Sequence, residues 1–441
     1  MIRRHSTLSL ACMLALGGSN ACFAAGFGIS AKSTSNLGNA FAGTAALAED
    51  ASVAYNNPAA MQQLGGGNFS IAIHNANPTA KFTDRGSNTS GNTTSTADAA
   101  KYFPSLYYVR ELGGDVRFGL GIYSPFGLGL EYDDTWTGRY HTTSSEMRTL
   151  NISPSFSFKA SDKLAIGAGI DLQYLDATLD SMVDIGTICY YYASVGAIPG
   201  GAATCAGAGL TPQGNDAKQS LRGDDWAMGF TLGMTYTFSE DTLMGAVLHS
   251  SARHDVDGTS TFTGVNPLMA SIFATTPASL TVNTPETINL SLAHHVNDRL
   301  TVMGDYMYTR WSRMDELSVD FANSIPTNTT AFAWRDVSRY SIGMNYKASD
   351  TWLLRGGLSH DQSPVPNSSV RSPRVPDGDR NWLNVGFRYS ANNRLSVDFA
   401  YAHIFTVNVG SNNSDALGHT LVGDYEVDSN YVSVQANWAM N

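Results

Sequence analysis

The chain has 441 residues, of which 43% are hydrophobic and 15% are charged, and its formal net charge is -11. This length allows one large barrel with a small additional element. The acidic balance, and the lack of a basic patch interleaved with aromatic residues, argue against nucleic acid as a partner. Because no stretch of about twenty apolar residues follows the N-terminus, the sequence excludes a protein that crosses a membrane with helices.

The first 24 residues have the pattern of an export signal. Arg3 and Arg4 precede the apolar run Leu8–Leu16. The segment Cys22–Ala24 supplies small residues at the cleavage positions. We predict a signal peptide over residues 1–24 and cleavage after Ala24. The mature chain would then begin at Ala25.

Two of the four cysteines remain after this cleavage. Cys189 and Cys205 lie in one long connection that would face the oxidising exterior, so we expect a disulfide between them. In the chain-entropy model, closing such a loop stabilises the folded state by about 3 kcal/mol. We expect no metal site there, because no histidine accompanies the cysteines, and we expect no cofactor elsewhere.

Most of the remaining chain alternates between apolar and polar residues. Every second residue is apolar in Leu164–Tyr174, in Met228–Phe238 and in Leu383–Tyr389. A period of two places the apolar side chains on one face of a β-strand. Strand after strand carries Tyr, Trp or Phe on this face, which fits a lipid interface better than the core of a soluble sandwich.

Short polar turns alternate with long connections rich in Gly, Ser, Thr, Asn and Pro. The short turns are Lys159–Leu164, Phe238–Leu243, His295–Leu300, Lys347–Trp352 and Ser390–Leu395. Short turns on the periplasmic side and long loops outside are typical of an outer-membrane β-barrel. We therefore predict an all-β fold, in which residues 68–441 form a fourteen-stranded antiparallel transmembrane barrel. The predicted strands are approximately 68–82, 100–112, 116–132, 146–160, 163–183, 221–238, 242–262, 282–296, 299–321, 331–347, 351–361, 380–390, 394–409 and 425–440.

The segment before the barrel, residues 25–67, lacks strand alternation, and we call it the hatch. It is rich in small residues, and Asn57, Pro58 and Ala59 lie where a helix would begin, with an asparagine cap and proline in the first turn. We predict that the hatch lies inside the barrel, where the walls bury its small helices. A disordered periplasmic tail is the alternative.

Five blocks of residues occur in order along the mature chain. They are Ser35–Gly43 with Ala48–Ala51 and Asn57–Ala59, Pro125–Leu128 with Trp136–Tyr140, Thr284–Glu286, Tyr308–Ser312, and Leu354–Gly357 through Asp361–Pro366 to Arg374–Asp377. These blocks resemble the FadL family, the outer-membrane transporters of long-chain fatty acids and related hydrophobic compounds. The resemblance implies a barrel closed by a hatch, an internal ligand site, and ligand exit through a lateral opening at a kinked third strand.

The sequence offers a candidate for that kink. Pro125, Phe126 and Gly127 interrupt the third predicted strand, where proline removes a hydrogen-bond donor and glycine permits a bend. We interpret these three residues as the lateral gate, with an ordinary β-bulge as the alternative. The resemblance also places Phe27, near the mature N-terminus, beside the ligand pocket, where it is a candidate moving part.

Apolar and charged side chains share the lumen face of the ninth predicted strand. This face carries Met303, Met307, Trp311 and Arg313, which are separated from one another by even numbers of residues. The methionines and the tryptophan predict a hydrophobic ligand pocket, although they could instead pack against the hatch. Arg313 and Arg388 are candidate partners for a fatty carboxylate, and pairing with lumen Asp or Glu is the alternative for each.

We expect this protein to take up long-chain fatty acids, or similar hydrophobic compounds, across the outer membrane of a Gram-negative bacterium. Uptake of aromatic hydrocarbons is the alternative within the class, and a structural or adhesin barrel and a barrel-embedded hydrolase are the alternatives outside it. We found no nucleophile elbow, metal-ligand spacing or glycine loop before a helix, so no enzyme is predicted. We expect membrane lipid and lipopolysaccharide around a monomer, because a closed sheet has no free edge.

Overall fold

The computed structural model describes residues 25–98, 100–323, 325–405 and 408–440. The predicted signal peptide, residues 1–24, lies outside the described residues. Within the described ranges, each helix is too short or too polar to traverse a bilayer.

The described strands form one antiparallel sheet that closes on itself. It contains 21 hydrogen-bonded segments, and because seven strands consist of two segments each, these form fourteen strands. The first strand pairs with the last over its whole length, from Gly67 opposite Met440 to Asp84 opposite Gly423. The predicted fourteen-stranded antiparallel barrel is confirmed.

The strands in chain order are β1 Gly67–Asp84, β2 Thr94–Asp98 and Lys101–Gly113, β3 Val116–Tyr123 and Gly127–Glu131, β4 Ser144–Lys159, β5 Leu164–Asp184, β6 Asp216–Ser239, β7 Thr242–His249 and Arg253–Thr263, β8 Thr276–Asn283 and Thr287–His295, β9 Leu300–Thr309 and Glu316–Phe321, β10 Asn328–Ala331 and Val337–Lys347, β11 Trp352–Asp361, β12 Arg380–Ser390, β13 Leu395–Phe405 and Val409–Ser414, and β14 Thr420–Met440. The helices are α1 Thr34–Gly38, α2 Val53–Asn56, α3 Ile185–Ser194 and α4 Ala202–Gly207, with 3-10 turns at Pro58–Gln63, Pro267–Met269, Trp311–Arg313 and Ser368–Val370.

The wall is apolar outside and polar or small inside. On β5, Ile166 and Ile170 are about half exposed, whereas Ala165 and Asp171 are buried against the interior. Aromatic pairs mark both ends of the apolar face, for example Tyr174 with Trp226 towards the loops and Trp352 with Tyr389 at a short turn. Lipid therefore meets a continuous apolar band between two aromatic girdles, as in other outer-membrane barrels.

Several strands extend beyond their predicted extracellular ends. β6 begins at Asp216 instead of residue 221, and β14 begins at Thr420 instead of residue 425. In β6 the added residues, Asp216–Ser220, are mostly polar. In β14 the added residues, Thr420–Asp424, place Leu421 and Val422 next to each other on opposite faces. The apolar alternation that marks a strand in the sequence is therefore missing there.

The hatch packs inside the barrel, and its last residue, Gly67, already pairs as the first residue of β1. The predicted helix after Asn57 is a 3-10 turn, in which the Asn57 side chain accepts a hydrogen bond from Ala59 N. The same side chain donates to the carbonyls of Ala45 and Met234, at 2.6 and 3.0 Å. A Cβ at Gly233 of β6 would lie 2.0 Å from Asn57 Oδ1, so glycine in the wall permits this close contact.

Buried ion pairs also bind the hatch to the wall. Arg355 of β11 donates to Asp398 at 2.7 Å and to Glu49 of the hatch at 3.0 Å. Arg388 of β12 donates to Asp398 at 2.8 Å, to the Glu49 carbonyl at 2.9 Å and to Asp50 at 3.3 Å. These five residues, which we call the hatch ion cluster, join two hatch acids to three neighbouring strands.

The long connection between β5 and β6 has a small apolar core of its own. Cys189 of α3 and Cys205 of α4 form a disulfide with their Cα atoms 6.0 Å apart. Both sulfurs are buried with Ile185, Leu210 and Phe273. The disulfide thus connects the two helices at the centre of this core.

A buried histidine joins that connection to the last extracellular loop. His419 Nε2 lies 3.1 Å from Asp184 Oδ2, and its Nδ1 lies 2.6 Å from Asp415 Oδ2. Since carboxylates only accept hydrogen bonds, both nitrogens donate and the ring is an imidazolium. Burial lowers the pKa of His419, but the hydrogen bonds with Asp184 and Asp415 outweigh it and raise the pKa to about 9. The folded pKa is above the unfolded one, so this stabilisation is complete below about pH 6.5 and is lost as the pH rises through about 9.

We predict that Arg355→Met loosens the hatch but leaves the barrel closed. The substitution leaves Glu49 as a buried charge without its ion pair and removes one of the two arginines that bind Asp398, which costs about 3–5 kcal/mol. Hydrogen exchange of hatch amides, measured by mass spectrometry, should accelerate while exchange in the wall strands does not change. Arg85→Met is the matched control, because the Arg85–Asp424 pair is exposed and should contribute less than about 1 kcal/mol. Unchanged exchange in the hatch of Arg355→Met would contradict the role of the cluster.

Candidate functional site

The third strand is interrupted at Ser124–Phe126. Tyr123 lies opposite Asn151 of β4, and Gly127 lies opposite Arg148, so three residues of β3 face two residues of β4. The Thr149 hydroxyl contacts the exposed backbone, accepting from Phe126 N at 2.9 Å and donating to Phe126 O at 2.7 Å. The interruption is a bulge in the pairing between β3 and β4.

The pairing between β2 and β3 also ends at this level. Its last pair is Leu106 with Ile122, whereas β2 continues to pair with β1 as far as Lys101. Among the described residues, the segment 101–105 of β2 is therefore paired on one side only. The barrel wall contains a gap in its hydrogen-bond ladder between β2 and β3, beside the bulge.

The start of the hatch supplies hydrogen bonds at the interruption. We call Phe27–Ile29 the strap. Gly28 forms an antiparallel bridge with Phe126, Ile29 N donates to Pro125 O at 2.8 Å, and Gly127 N donates to Phe27 O at 2.9 Å. The strap thus takes the place of a neighbouring strand on the inner side of β3.

Aromatic rings surround Phe27 of the strap. Its ring centroid lies 4.7 Å from that of Trp311, 5.7 Å from that of Trp334 and 5.8 Å from that of Phe126. Residues just before the strap are equally constrained, because Gly26 has φ +62 and an added Cβ would lie 2.9 Å from Trp334. The predicted position of Phe27 is therefore a buried site next to the interrupted strand.

Two carboxylates accept hydrogen bonds from the backbone ahead of the strap. Ala25 N lies 3.4 Å from Asp361 Oδ2, and Gly26 N lies 3.0 Å from Asp377 Oδ2. Both acids are buried. They stand at the end of β11 and in the connection to β12, so the extracellular side of the barrel positions the strap.

A cavity lies beneath these residues. Its volume is about 120 Å³, which is below the roughly 300–1,000 Å³ of typical ligand pockets, so a long ligand needs movement of the lining. Pro125 and Phe126 of the interruption form part of its lining, together with Trp311 and Met307. The cavity therefore adjoins the gap in the wall. The polar side of the lining includes Asn151, Asp171, Gln173, His249 and Asn289.

Two cationic side chains line the same cavity. Arg339 of β10 is 5% exposed, its Nη1 donates to Ser30 Oγ at 3.0 Å, and its guanidinium lies 4.4 Å from the Phe41 ring centroid. Its Nε has no hydrogen-bond partner among the described residues. Lys32 of the hatch donates to the Tyr55 hydroxyl at 2.6 Å. Arg339 thus places a cation beside a cavity that is otherwise partly apolar.

Lys32 also stands next to the gap. Its carbonyl accepts hydrogen bonds from Ser105 Oγ at 3.0 Å and from Tyr107 OH at 2.9 Å. Both partners belong to β2, and Ser105 is in the segment that lacks a partner in β3. The path from the cavity to the gap therefore passes Lys32.

The predicted ligand residues divide into two groups. Met307 and Trp311 line the cavity, as expected of pocket residues. Met303 faces the lumen but packs against the hatch, because its Sδ lies 2.8 Å from the position of a Cβ on Gly43. For Met303, the alternative of packing against the hatch matches the structure.

The structure places the two predicted carboxylate partners, Arg313 and Arg388, in ion pairs with acidic residues, which was the alternative for each. Arg313 is about half exposed and binds Glu286 at 2.9 Å, and Arg388 belongs to the hatch ion cluster. Neither lines the cavity, because acidic neighbours hold both guanidinium groups elsewhere. Arg339 and Lys32, which sequence reasoning missed, are the cations that do. Arg339 falls on the inward set of β10, so its direction was readable from the alternation, whereas its place beside empty space was not.

Comparisons with known proteins agree with this architecture. The sequence model of the family described as outer membrane protein transport protein (OMPP1/FadL/TodX) matches residues 15–440. The long-chain fatty acid transport protein of Escherichia coli O6:H1 is 27% identical over 400 residues, covering 88% of this chain and 88% of that protein.

Two solved structures share the fold. A Pseudomonas aeruginosa FadL homologue superposes with a TM-score of 0.84 at 24% identity, covering 94% of this chain and 99% of that one. The Pseudomonas putida toluene transporter TodX superposes with a TM-score of 0.71 at 19% identity, covering 95% and 100%. With the family match spanning nearly the whole sequence, this chain belongs to the OMPP1/FadL/TodX family of outer-membrane transport proteins of Gram-negative bacteria.

Proposed function

We propose that this protein takes up long-chain fatty acids by binding them in the lumen cavity and releasing them sideways between β2 and β3. The observation that carries the proposal is the coincidence of three features. The cavity lining includes Pro125 and Phe126, the ladder to β2 stops after Ile122, and the strap bonds to the interruption from inside. The name of the Escherichia coli relative supports the ligand class.

The free energies of the contacts involved favour movement of the strap over movement of the rest of the hatch. Burying about fifteen methylenes gains roughly 12 kcal/mol before association costs, so a well-fitted ligand leaves slowly unless part of the protein moves. The strap holds β3 through two backbone hydrogen bonds to Pro125 and Gly127, each with a net worth of about 0.5–1.5 kcal/mol. The hatch ion cluster is far more costly to break. We therefore assign the movement to Phe27–Ile29 and treat Pro125, Phe126 and Gly127 as the lateral gate.

Arg339 is the proposed partner of the fatty carboxylate. Arg339 is buried and lines the cavity, and among the described residues its guanidinium makes one hydrogen bond, from Nη1 to Ser30 Oγ. A charge-assisted hydrogen bond to a ligand is strong in such a site. Lys32, at the cavity side of the gap, would meet the carboxylate as the ligand leaves. Met307 and Trp311 would contact the acyl chain.

Aromatic hydrocarbons are the second candidate ligands. The rings of Phe126 and Trp311 line the cavity with their centroids 6.3 Å apart, and a toluene transporter shares the fold. A hydrocarbon would use these rings but leave Arg339 without a partner. The cation therefore favours a fatty acid, and its removal separates the two candidates.

We further propose that transport involves no catalytic step and that the protein acts as a monomer among outer-membrane lipid and lipopolysaccharide. Because Gly67–Asp84 pairs with the last strand, no whole strand is left as a free edge for pairing with a second copy. The apolar outer wall accounts for the lipid contact.

Restoring the third strand should abolish uptake but not binding. Pro125→Val with Gly127→Val favours continuous extended backbone, which would close the gap in the wall. We expect labelled oleate to bind the purified double variant normally and not to enter cells that carry it. Pro154→Val in β4, away from the gap, is the matched control and should leave uptake unchanged. Normal uptake by the double variant would rule out the lateral gate and would leave the interruption with a structural role only.

Removing the cation should separate the candidate ligands. We expect Arg339→Gln to weaken oleate binding by about tenfold to a hundredfold, the range for loss of a hydrogen bond to a charged group, and to leave xylene binding unchanged. Native mass spectrometry of lipid-stripped protein offered both ligands measures each affinity. Arg313→Gln removes the same charge outside the cavity and should change neither. Equal loss of both ligands, or of neither, would contradict the role of Arg339.

A further inference from the structure

A chain of hydrogen bonds connects Asp171 of β5 to His249 of β7. The Asp171 carboxylate accepts a hydrogen bond from Thr231 Oγ1 of β6 at 2.8 Å. The same Thr231 oxygen lies 2.9 Å from His249 Nδ1. Asp171 and His249 both line the cavity, so the chain ends at its surface.

This chain fixes which ring nitrogen of His249 carries a hydrogen. Asp171 also accepts hydrogen bonds from the hydroxyl groups of Ser153 and Tyr123. It therefore acts as an ionised carboxylate, which has no hydrogen to donate to Thr231. The single hydroxyl hydrogen of Thr231 points at Asp171, so the Thr231 oxygen accepts from His249 Nδ1–H. In the neutral ring, Nε2 is then an acceptor without a hydrogen.

The Nε2 atom of His249 is open to the lumen. The imidazole stacks on Tyr55 of the hatch with the ring centroids 4.8 Å apart, so it faces inward. Among the described residues no group hydrogen-bonds to Nε2, and this atom keeps accessible surface, unlike the fully buried atoms that lack a partner. An accessible acceptor that is held in one tautomer recognises a ligand group that donates a hydrogen bond.

Aromatic rings surround this part of the cavity. Tyr55 and Tyr123 belong to the lining, and their ring centroids lie 4.2 Å apart. The cavity volume of about 120 Å³ is of the same order as the roughly 150 Å³ of a cavity that admits benzene. A single aromatic ring is therefore the size of ligand that this arrangement of the lining admits.

We propose that this part of the cavity binds single-ring phenols. The phenol hydroxyl donates to His249 Nε2, and its ring lies against Tyr55 and Tyr123. This inference goes beyond the proposed function, because it concerns a second class of ligand and a different part of the lining. His249 on β7 and Arg339 on β10 are three strand spacings apart, about 14 Å along the wall.

His249 distinguishes a phenol from the other candidate ligands. A fatty carboxylate and an aromatic hydrocarbon have no polar hydrogen to donate to Nε2. A phenol loses water from its hydroxyl group on entering the cavity, which is costly unless an acceptor replaces that water. A ring without the hydroxyl group instead covers Nε2 and leaves it without a partner, so the site discriminates against it.

Three fluorinated ligands test the inference at about pH 8, where a phenol and an ordinary imidazole are both neutral. They are 4-fluorophenol, 1,4-difluorobenzene and 4-fluoroanisole, which has an oxygen but no hydroxyl hydrogen. Fluorine-19 NMR titration of the purified barrel measures the Kd of each. Comparison of the unmodified protein with its variants cancels the partition of each ligand into detergent.

Replacing the histidine should remove the preference for the hydroxyl group. We expect His249→Phe to weaken binding of 4-fluorophenol relative to 1,4-difluorobenzene by about threefold to tenfold, the equivalent of one net hydrogen bond. Binding of 4-fluoroanisole should change as binding of 1,4-difluorobenzene does. Thr287→Val removes a different hydroxyl group of the lining, directly opposite His249, and should retain the preference.

Thr231 is a positioning residue, because it acts through His249. Thr231→Val removes the acceptor of Nδ1–H, so the hydrogen is free to move to Nε2, and the preference for 4-fluorophenol should fall as in His249→Phe. Thr231→Ser keeps the hydroxyl group and should keep the preference. This contrast separates control of the tautomer from a general change in packing.

Three results would overturn the inference. They are failure of 4-fluorophenol to bind, an equal response of 4-fluorophenol and 1,4-difluorobenzene to His249→Phe, and equal behaviour of Thr231→Val and Thr231→Ser. Each of these results leaves the proposed function standing, because oleate binding and its loss in Arg339→Gln test that function separately.

Discussion

The structure depends on one constraint: a backbone polar group at membrane depth must have a hydrogen-bond partner within the protein. A closed barrel meets this constraint by pairing every strand on both sides, so an opening in the wall creates groups that need other partners. Here the strap hydrogen-bonds to Pro125 and Gly127 from inside, and the Thr149 hydroxyl bonds to Phe126. The opening and the strap therefore form a single unit, because the interruption is tolerable only while other groups satisfy it.

The hatch contains two parts that are held with very different strength. Its middle is fixed by the hatch ion cluster and by Asn57, which bonds to the carbonyl of Met234 in the wall. Its first residues hold the wall through backbone hydrogen bonds and ring contacts around Phe27. Since a buried ion pair is expensive to break and a backbone hydrogen bond has a small net worth, movement belongs at the N-terminal end. Under the proposed function, this division allows one segment both to close the barrel and to respond to a ligand.

The sequence predicted the barrel wall well and the cavity poorly, for a physical reason. Alternation is a local pattern, and it predicted both ends of β12, Arg380–Ser390, correctly. The interruption at Pro125 was also predicted, because proline and glycine change the backbone at their own positions. Arg339 and Arg388 look alike in the sequence, since both are inward-facing arginines on alternating strands. Whether such an arginine meets a hatch acid or empty space depends on the path of the hatch, which long-range packing decides. The pairing of Arg388 with Asp398 and the place of Arg339 beside the cavity therefore became visible only in three dimensions.

The mixed polarity of the cavity suits transport better than a fully apolar lining would. A cavity that matched an acyl chain along its whole length would retain most of the free energy of burial, and the ligand would leave too slowly. Asp171 and His249 on one side of the lining limit the apolar contact, so under the proposed function the acyl chain would be bound mainly by the side that carries Trp311 and Met307. Specificity can then come from a few polar atoms at fixed positions, whose loss of water is compensated only by a ligand with matching groups. Under the proposed function, Trp311 and Met307 would supply affinity and Arg339 would supply selectivity, which allows a ligand to be recognised without being held permanently.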